Sequence, residues 1–285
     1  MVKSKIILKR ILKGKIILVT GGAGSICSVL VQKILEYPIH SVRVLDIDEH
    51  SLFNLKRSLN DKRLRLFLGS IYDMERVDRA CQDVDIIIHG AAVKNIEITE
   101  FNPFETIETN ILGTMNLIKS TMKHTPEKFL NISTDKAVDP STLYGSTKQI
   151  TEKLIHWGSE HIKPTIFSSV RFGNVIETSG NIFELWTEQA KKNIPLHITD
   201  PKMKRYFFHV DEAVYFILQC LLISKGSEIF VPKMKLYNIL EFANKISKNH
   251  KIIGIRQGEK LIELLLTDAE KQSSTEKDNM WIIKS

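Results

Sequence analysis

Cysteine is scarce in this 285-residue chain. Cys27, Cys81 and Cys220 are odd in number and far apart, and each sits in a helix-like context. Such a set frames neither a disulfide scaffold nor a metal site, and it suits a reducing compartment, so a cytoplasmic location is expected. Long apolar runs are missing too. No stretch approaches the roughly 20 residues of a membrane-spanning helix. The basic start of the chain lacks the apolar core and small-residue cleavage site of a signal peptide. Internal repeats and low-complexity segments are absent. The formal net charge is +7, but the lysines are scattered, with only a modest excess in the first fifteen residues. A nucleic-acid partner would need that charge gathered in a patch, so none is expected.

What is present reads as an ordinary globular chain, 43% hydrophobic and 26% charged, long enough for one large domain or one domain plus a small lobe. Residues 3–13 place Ile7, Leu8, Ile11 and Leu12 at helical spacing among cations, which predicts a short helix packed on the body or on a neighbouring subunit. Residues 15–20 read as a buried strand that runs into Gly21-Gly22-Ala23-Gly24-Ser25-Ile26. Ile26, Val29, Leu30 and Ile34 then repeat at helical spacing. Strand, glycine turn and helix together make a dinucleotide site credible: Gly21 permits the tight turn, and Gly24 lets a pyrophosphate approach the helix N-terminus. Residues 42–45 form a second strand ending at Asp46. An acid there accepts from the adenosine ribose and repels a 2′-phosphate, which favours NAD over NADP. Arg43 and Arg57 are the counterweights, one inside the strand and one well past it. Residues 64–68, 84–89, 129–132 and 165–170 supply four more strands, so six strand–helix alternations predict an α/β fold with a doubly wound parallel sheet.

The chain is organised around residues 131–148, NISTDKAVDPSTLYGSTK. Tyr144 and Lys148 stand about one helical turn apart and share a face if a helix starts there. A phenol titrates near pH 10 and is a poor base at neutrality. An adjacent ammonium is expected to lower that value and make a usable proton acceptor. Ser133-Thr134-Asp135-Lys136 follows an apolar strand, at the end that faces the ligand crevice in open α/β sheets. A Tyr–Lys pair alone is as easily an exposed helical pair. The polar cluster upstream is what gives it meaning.

This stretch resembles the active site of the extended short-chain dehydrogenase/reductases, and within them the soluble UDP-N-acetylglucosamine 4,6-dehydratases, whose signature reads STDKA…YG.TK. The resemblance implies a Rossmann domain over residues 1–172, including the catalytic segment. It also implies a smaller nucleotide-sugar lobe over residues 173–285, interleaved with the end of the sheet. It implies NAD held by Gly21, Gly24, Ser25, Ile26, Asp46, Ser70, Ile71, Ala91, Ala92, Lys94, Tyr144 and Lys148. Two departures from the family pattern bear on that site: Cys27 stands where the third glycine belongs, and Ser70 replaces an acid against the adenine. For a UDP-sugar substrate the resemblance implies Lys94, Asn174, Thr178, Arg205, Arg256 and Glu259. Thr178 belongs to a polar turn over 178–181, and residues 198–207 resemble the family's ITDP.M.RYF segment. Residues 255–260 resemble its RPGEK motif, with Gln257 for proline. Family members continue further past this motif, so a trimmed lobe is expected. They also commonly form homo-oligomers, although no heptad or interface can be read here.

The implied chemistry is a redox-neutral elimination. Tyr144 takes the C4 hydroxyl proton while hydride leaves C4, and Thr134 holds the C4 oxygen. Lys136 removes the acidified C5 proton, Asp135 protonates the departing C6 hydroxyl, and hydride returns to C6. Asp-Lys in this place with Tyr144 leans toward the C5-inverting enzymes. Two alternatives stand beside it: a nucleotide-sugar 4-epimerase, which would leave Asp135 and Lys136 idle, and a non-catalytic dinucleotide-binding redox sensor.

Overall fold

A computed structural model describes residues 2–178, 181–256 and 258–284, with nothing given for the side chains of residues 2–4. Ser179, Gly180 and Gln257, all singled out in the sequence, lie outside the described residues. The strands of the main sheet are β1 (Ile16–Thr20), β2 (Ser41–Asp46), β3 (Leu64–Leu68), β4 (Ile86–His89), β5 (Lys128–Thr134) and β6 (Ile166–Phe172), followed by three later segments. These are β7 (Glu228–Pro232), β8 (Thr275–Lys277) and β9 (Met280–Lys284). Among the described residues the sheet has nine strands in the order β8-β9-β7-β6-β5-β4-β1-β2-β3. The pairs from β3 through β7 are all parallel. The order reverses between β1 and β4, and this is where a doubly wound sheet opens a ligand crevice at its carboxyl edge. The fold is the Rossmann-like one that the alternating pattern predicts.

The strands β1 and β4 are runs of Ile, Leu and Val buried on both faces, as a sheet covered by helices on each side requires. One core lies between the sheet and the helices Ser25–Leu35 and Val210–Ile223. A second is built on Phe129, Phe167, Leu117 and Ile155, and two smaller clusters centre on Trp186 and on Val231. The N-terminal helix Val2–Ile11 packs against Val210–Ile223 through Leu8; Leu12, just past its end, is also buried, whereas Ile7 faces outward. No helix among the described residues is long and apolar enough to cross a membrane.

The polar stretch 271–279 departs from its appearance in sequence. It carries the end of a helix, Asp268–Ser273, and then β8, which with β9 extends the main sheet in antiparallel fashion. Its alternation is too short and too charged to register as strand, and β9 supplies the pairing that makes it one. Two small sheets complete the crevice wall. One holds Leu236–Asn238, Lys204–Phe208 and Asn174–Val175, and the other His250–Ile252 and Leu196–Ile198.

Candidate active site

A cavity of about 950 Å³ runs along the carboxyl edge of the sheet into the wall made by these small sheets. At its Rossmann end the backbone decides the shape. Gly21 has φ +63°, and a methyl there would lie 2.7 Å from the Ala91 Cα, so the turn after β1 can press onto the loop after β4 only without a side chain. The helix Ser25–Leu35 starts at Gly24 with no side-chain cap, and Gly24, Ser25 and Ile26 line the cavity. A helix N-terminus without a side-chain cap suits a pyrophosphate. Asp46 closes the end of β2, its carboxylate accepting from the Ala23 amide at 3.0 Å and the Asp48 amide at 3.1 Å. Arg43 is turned away, donating to the Ala80 and Gln82 carbonyls. Ser70, Ile71, Ala91, Ala92 and Lys94 complete this end. The residues present fit a dinucleotide.

Cys27 occupies the third-glycine position with its sulfur directed at Gly90, where an added methyl would stand 2.5 Å from Sγ. The side chain lost from one strand-end residue makes room for the one gained on the helix. Burial holds the Cys27 thiol up at about 12, so it is inert. His89 is also buried, bonded to the Thr20 hydroxyl at 2.8 Å and the Thr114 hydroxyl at 2.9 Å. Desolvation pushes it down to about 3, so it stays a neutral core residue.

The catalytic segment converges through a second glycine. Helix Leu143–His161, capped by the Thr142 hydroxyl on the Gly145 amide at 3.1 Å, meets the turn Asp135–Ala137 at Gly145, where any side chain would overlap the Lys136 carbonyl. Tyr144, Lys148, Thr134 and Lys136 thus face one volume. Lys148 donates to the Ile132 carbonyl at 2.6 Å, and burial lowers it to about 8.

Two expectations require correction. The Tyr144 phenol is pushed above its ordinary value, first by burial of the hydroxyl and then by the nearby Asp135 charge, while a hydrogen bond with Thr134 pulls the other way. Lys148 is committed to a carbonyl, so its ammonium alone does not produce the lowered phenol. Asp135 is the second correction, because it does not line the cavity. Its carboxyl is 0% exposed, with Oδ1 accepting from the Thr134 hydroxyl and the Lys136 ammonium, each at 3.0 Å. Oδ2 has no hydrogen-bond partner among the described residues and backs onto Gly173. The turn after β5 folds the acid beneath the amine instead of setting them side by side.

The far wall carries Asn174, Thr178, Arg205, Arg256 and Glu259, all lining the cavity. Arg256 is free to reach in: its guanidinium is half exposed and, among the described residues, pairs with Glu97 at 3.3 Å. Arg205 is not. It is buried and donates to the Lys204 carbonyl at 2.9 Å and the Leu261 carbonyl at 3.1 Å, with Glu259 3.5 Å away. Its fork is spent on holding residues 259–263, so it serves as a brace for the wall. Sequence reasoning missed Glu263, a buried carboxylate on this wall. Its spacing of four from Glu259 was the available signal. It also missed the ion cluster behind the site, where Arg171 grips Glu152 at 2.7 Å and Glu270 at 2.9 Å, and Glu152 accepts from the Ser133 hydroxyl at 2.6 Å.

Residues 17–285 match the family model described as "Polysaccharide biosynthesis protein". A Methanocaldococcus jannaschii protein described only as an uncharacterized membrane protein is 39% identical over 95% of this chain and 86% of its own length. A Campylobacter jejuni UDP-N-acetylglucosamine 4,6-dehydratase (inverting) is 36% identical over 95% of this chain and 83% of its own. A Rickettsia bellii UDP-glucose 4-epimerase is 31% identical over 94% and 82%. Among solved structures, Pen from Bacillus thuringiensis superposes with a TM-score of 0.91 at 33% identity, covering 96% of this chain and 90% of that one. The dTDP-glucose 4,6-dehydratase DesIV of Streptomyces venezuelae, solved with NAD and TYD, shares the fold at a TM-score of 0.81, 21% identity and 90% coverage of each chain.

Proposed function

The chain belongs to the polysaccharide biosynthesis protein family of extended short-chain dehydrogenase/reductases, and from that membership we propose that it is a nucleotide-sugar 4,6-dehydratase acting on UDP-N-acetylglucosamine. The observation that carries this reading is the shared cavity: Thr134 and Lys136 open onto the same volume as Tyr144, with Asp135 directly beneath Lys136. A 4-epimerase has no use for an amine and an acid in that place.

A bound nicotinamide dinucleotide supplies the hydride acceptor for C4, the hydride donor for C6 and a positive ring charge beside the phenol. The glycine turn and the N-terminus of the helix Ser25–Leu35 would hold its pyrophosphate, and Asp46 favours NAD through its ribose. Tyr144 takes the C4 hydroxyl proton, and Thr134, between the phenol and Asp135, steadies the C4 oxygen. Ketone formation acidifies C5–H; the Lys136 ammonium passes one proton to Asp135 across their 3.0 Å contact, and the neutral amine removes the C5 proton. Asp135 gives its proton to the departing C6 hydroxyl, so water leaves with the C6–O electron pair. A proton returned to C5 from the face opposite the one deprotonated gives the inverted 4-keto-6-deoxy sugar. Arg256 and Lys94 hold the diphosphate, and Asn174, Thr178 and Glu259 contact the sugar and ribose hydroxyls. The protein acts as a homo-oligomer in the cytoplasm.

One observation favours a second reading. In the resting arrangement Asp135 is roofed by Lys136, and a site that stayed so would oxidise C4 and return hydride to it, as a 4-epimerase does. Proton NMR and mass spectrometry of the product made from UDP-N-acetylglucosamine in deuterated water separate the two. Dehydration gives a product lighter by one water with deuterium at C5. A product of unchanged mass with an inverted C4 would replace the dehydratase by the epimerase.

A further inference from the structure

The elimination asks Asp135 to meet the sugar, yet its carboxyl lies under the Lys136 ammonium and outside the cavity lining. Lys136 must therefore move, and its charge needs somewhere to go. Glu263 is 5% exposed and lines the cavity, and its carboxyl makes no hydrogen bond or ion pair with another described residue. The carboxyl faces the cavity from a partly desolvated place with no cation bound to it, so it can receive one. Burial raises its pKa, as does the nearby Asp135, while Lys136, Arg205 and Lys260 act against that.

Of those three cations, only one can come to it. Arg205 is fixed on the Lys204 and Leu261 carbonyls. Lys260 is tied to the Val138 and Asp139 carbonyls. Lys136 has a four-carbon stem, a partly exposed head and one anchor. The position of Glu263 is itself rigid, because Lys204 donates to the Leu261 carbonyl at 2.9 Å and bridges to Ile262. We propose that Glu263 is the second seat of Lys136: the ammonium leaves one proton on Asp135, the side chain swings off the acid and opens it to the bound sugar, and the ammonium re-formed when the amine takes the C5 proton is received by the Glu263 carboxylate. Glu263 is thus a positioning residue for the acid–base pair, a role that rests on the dehydratase reading.

The test uses the full chain with NAD and UDP-N-acetylglucosamine in deuterated water, comparing Glu263→Gln and Glu263→Asp with the unsubstituted enzyme. Glu263→Gln is expected to slow formation of the 4-keto-6-deoxy product by roughly 30- to 100-fold. C4 oxidation and the KM for the sugar should stay within about threefold, so reduced nicotinamide accumulates. Glu263→Asp, which keeps the charge, should recover about a tenth or more of the lost rate. The unsubstituted enzyme should lose elimination on the acid side as Glu263 takes a proton, and Glu263→Gln should lack that limb. A Glu263→Gln rate within about threefold of the unsubstituted enzyme, or an Asp variant as slow as the Gln one, overturns the role. If Glu263→Gln does not fold by circular dichroism, the Asp variant and the acid limb decide. No dehydration by the unsubstituted enzyme would remove the dehydratase reading and this role with it, whereas dehydration unimpaired in Glu263→Gln removes the role alone.

Discussion

The two ends of the cavity are built from different materials. The dinucleotide end is made by backbone: a glycine at positive φ, an uncapped helix N-terminus, and a carboxylate that closes the loop onto its own amides. The sugar end is made by charged side chains from distant parts of the chain: Lys136, Arg205, Glu259 and Glu263 on the cavity wall, with Asp135 fully buried beneath Lys136. A backbone site is rigid and indifferent to protonation. A site of stacked charges has more than one way to pair, so it can change partners during a reaction. The difference assigns holding to one end and chemistry to the other.

The sharpest break is Gly21→Ala, which should damage the dinucleotide end and spare the other. The new methyl meets the Ala91 backbone and requires a left-handed conformation of a residue that resists it. We expect NAD affinity to fall by more than about 100-fold, with folding stability lowered by about 2–3 kcal/mol. Calorimetric titration checks it: NAD binding should vanish while UDP binding stays within a factor of about two. Comparable loss of both ligands would show that the ends are not separable.

That division also governs what could be read in the sequence. Gly21, Gly24 and Asp46 announce themselves because a backbone site needs particular residues at fixed spacing along one strand–turn–helix unit. The six parallel strands were legible for the same local reason. At the sugar end the polar cluster and the Tyr144/Lys148 pair could be located, but not which way Asp135 would turn. Its side chain is placed by the turn Asp135–Ala137, by Gly145 and by Gly173, three separate segments. Glu263 was hidden similarly, because its place depends on Lys204, distant in sequence, and residues 275–277 become a strand only against β9, itself docked on the distant β7.

A smaller effect sharpens the comparison inside the sugar end. Arg205 and Arg256 look alike in sequence, yet one is a buried brace and the other an exposed arm. Arg205→Leu should cost about 1–3 kcal/mol of stability, because it removes the buried guanidinium that ties the Leu261 carbonyl and Glu259 to this wall. Arg256→Leu removes only an exposed pair with Glu97, so stability should change by less than about 0.5 kcal/mol. Its UDP affinity should still fall about tenfold, through loss of a charged hydrogen bond to phosphate. Urea denaturation beside UDP titration distinguishes the two. Equal stability losses would mean that Arg205 braces nothing.

The smallest effect lies at the dinucleotide end, where Cys27 and Gly90 exchange a side chain between them. Gly90→Ala alone puts a methyl 2.5 Å from the Cys27 sulfur and should cost about 1–3 kcal/mol through overpacking. Cys27→Gly alone empties the space beside Gly90 and places a flexible residue within the helix Ser25–Leu35, costing about 1–2 kcal/mol. The two changes together restore a filled contact from the opposite side. Their combined cost should therefore fall below the sum by about 1 kcal/mol or more, a coupling that a double-mutant cycle in urea reads directly. NAD affinity should be nearly constant across the cycle, because the sulfur is buried, uncharged and directed at Gly90. Additive costs would show that the cysteine is merely tolerated, and that Gly90 is glycine for some reason other than the sulfur it faces.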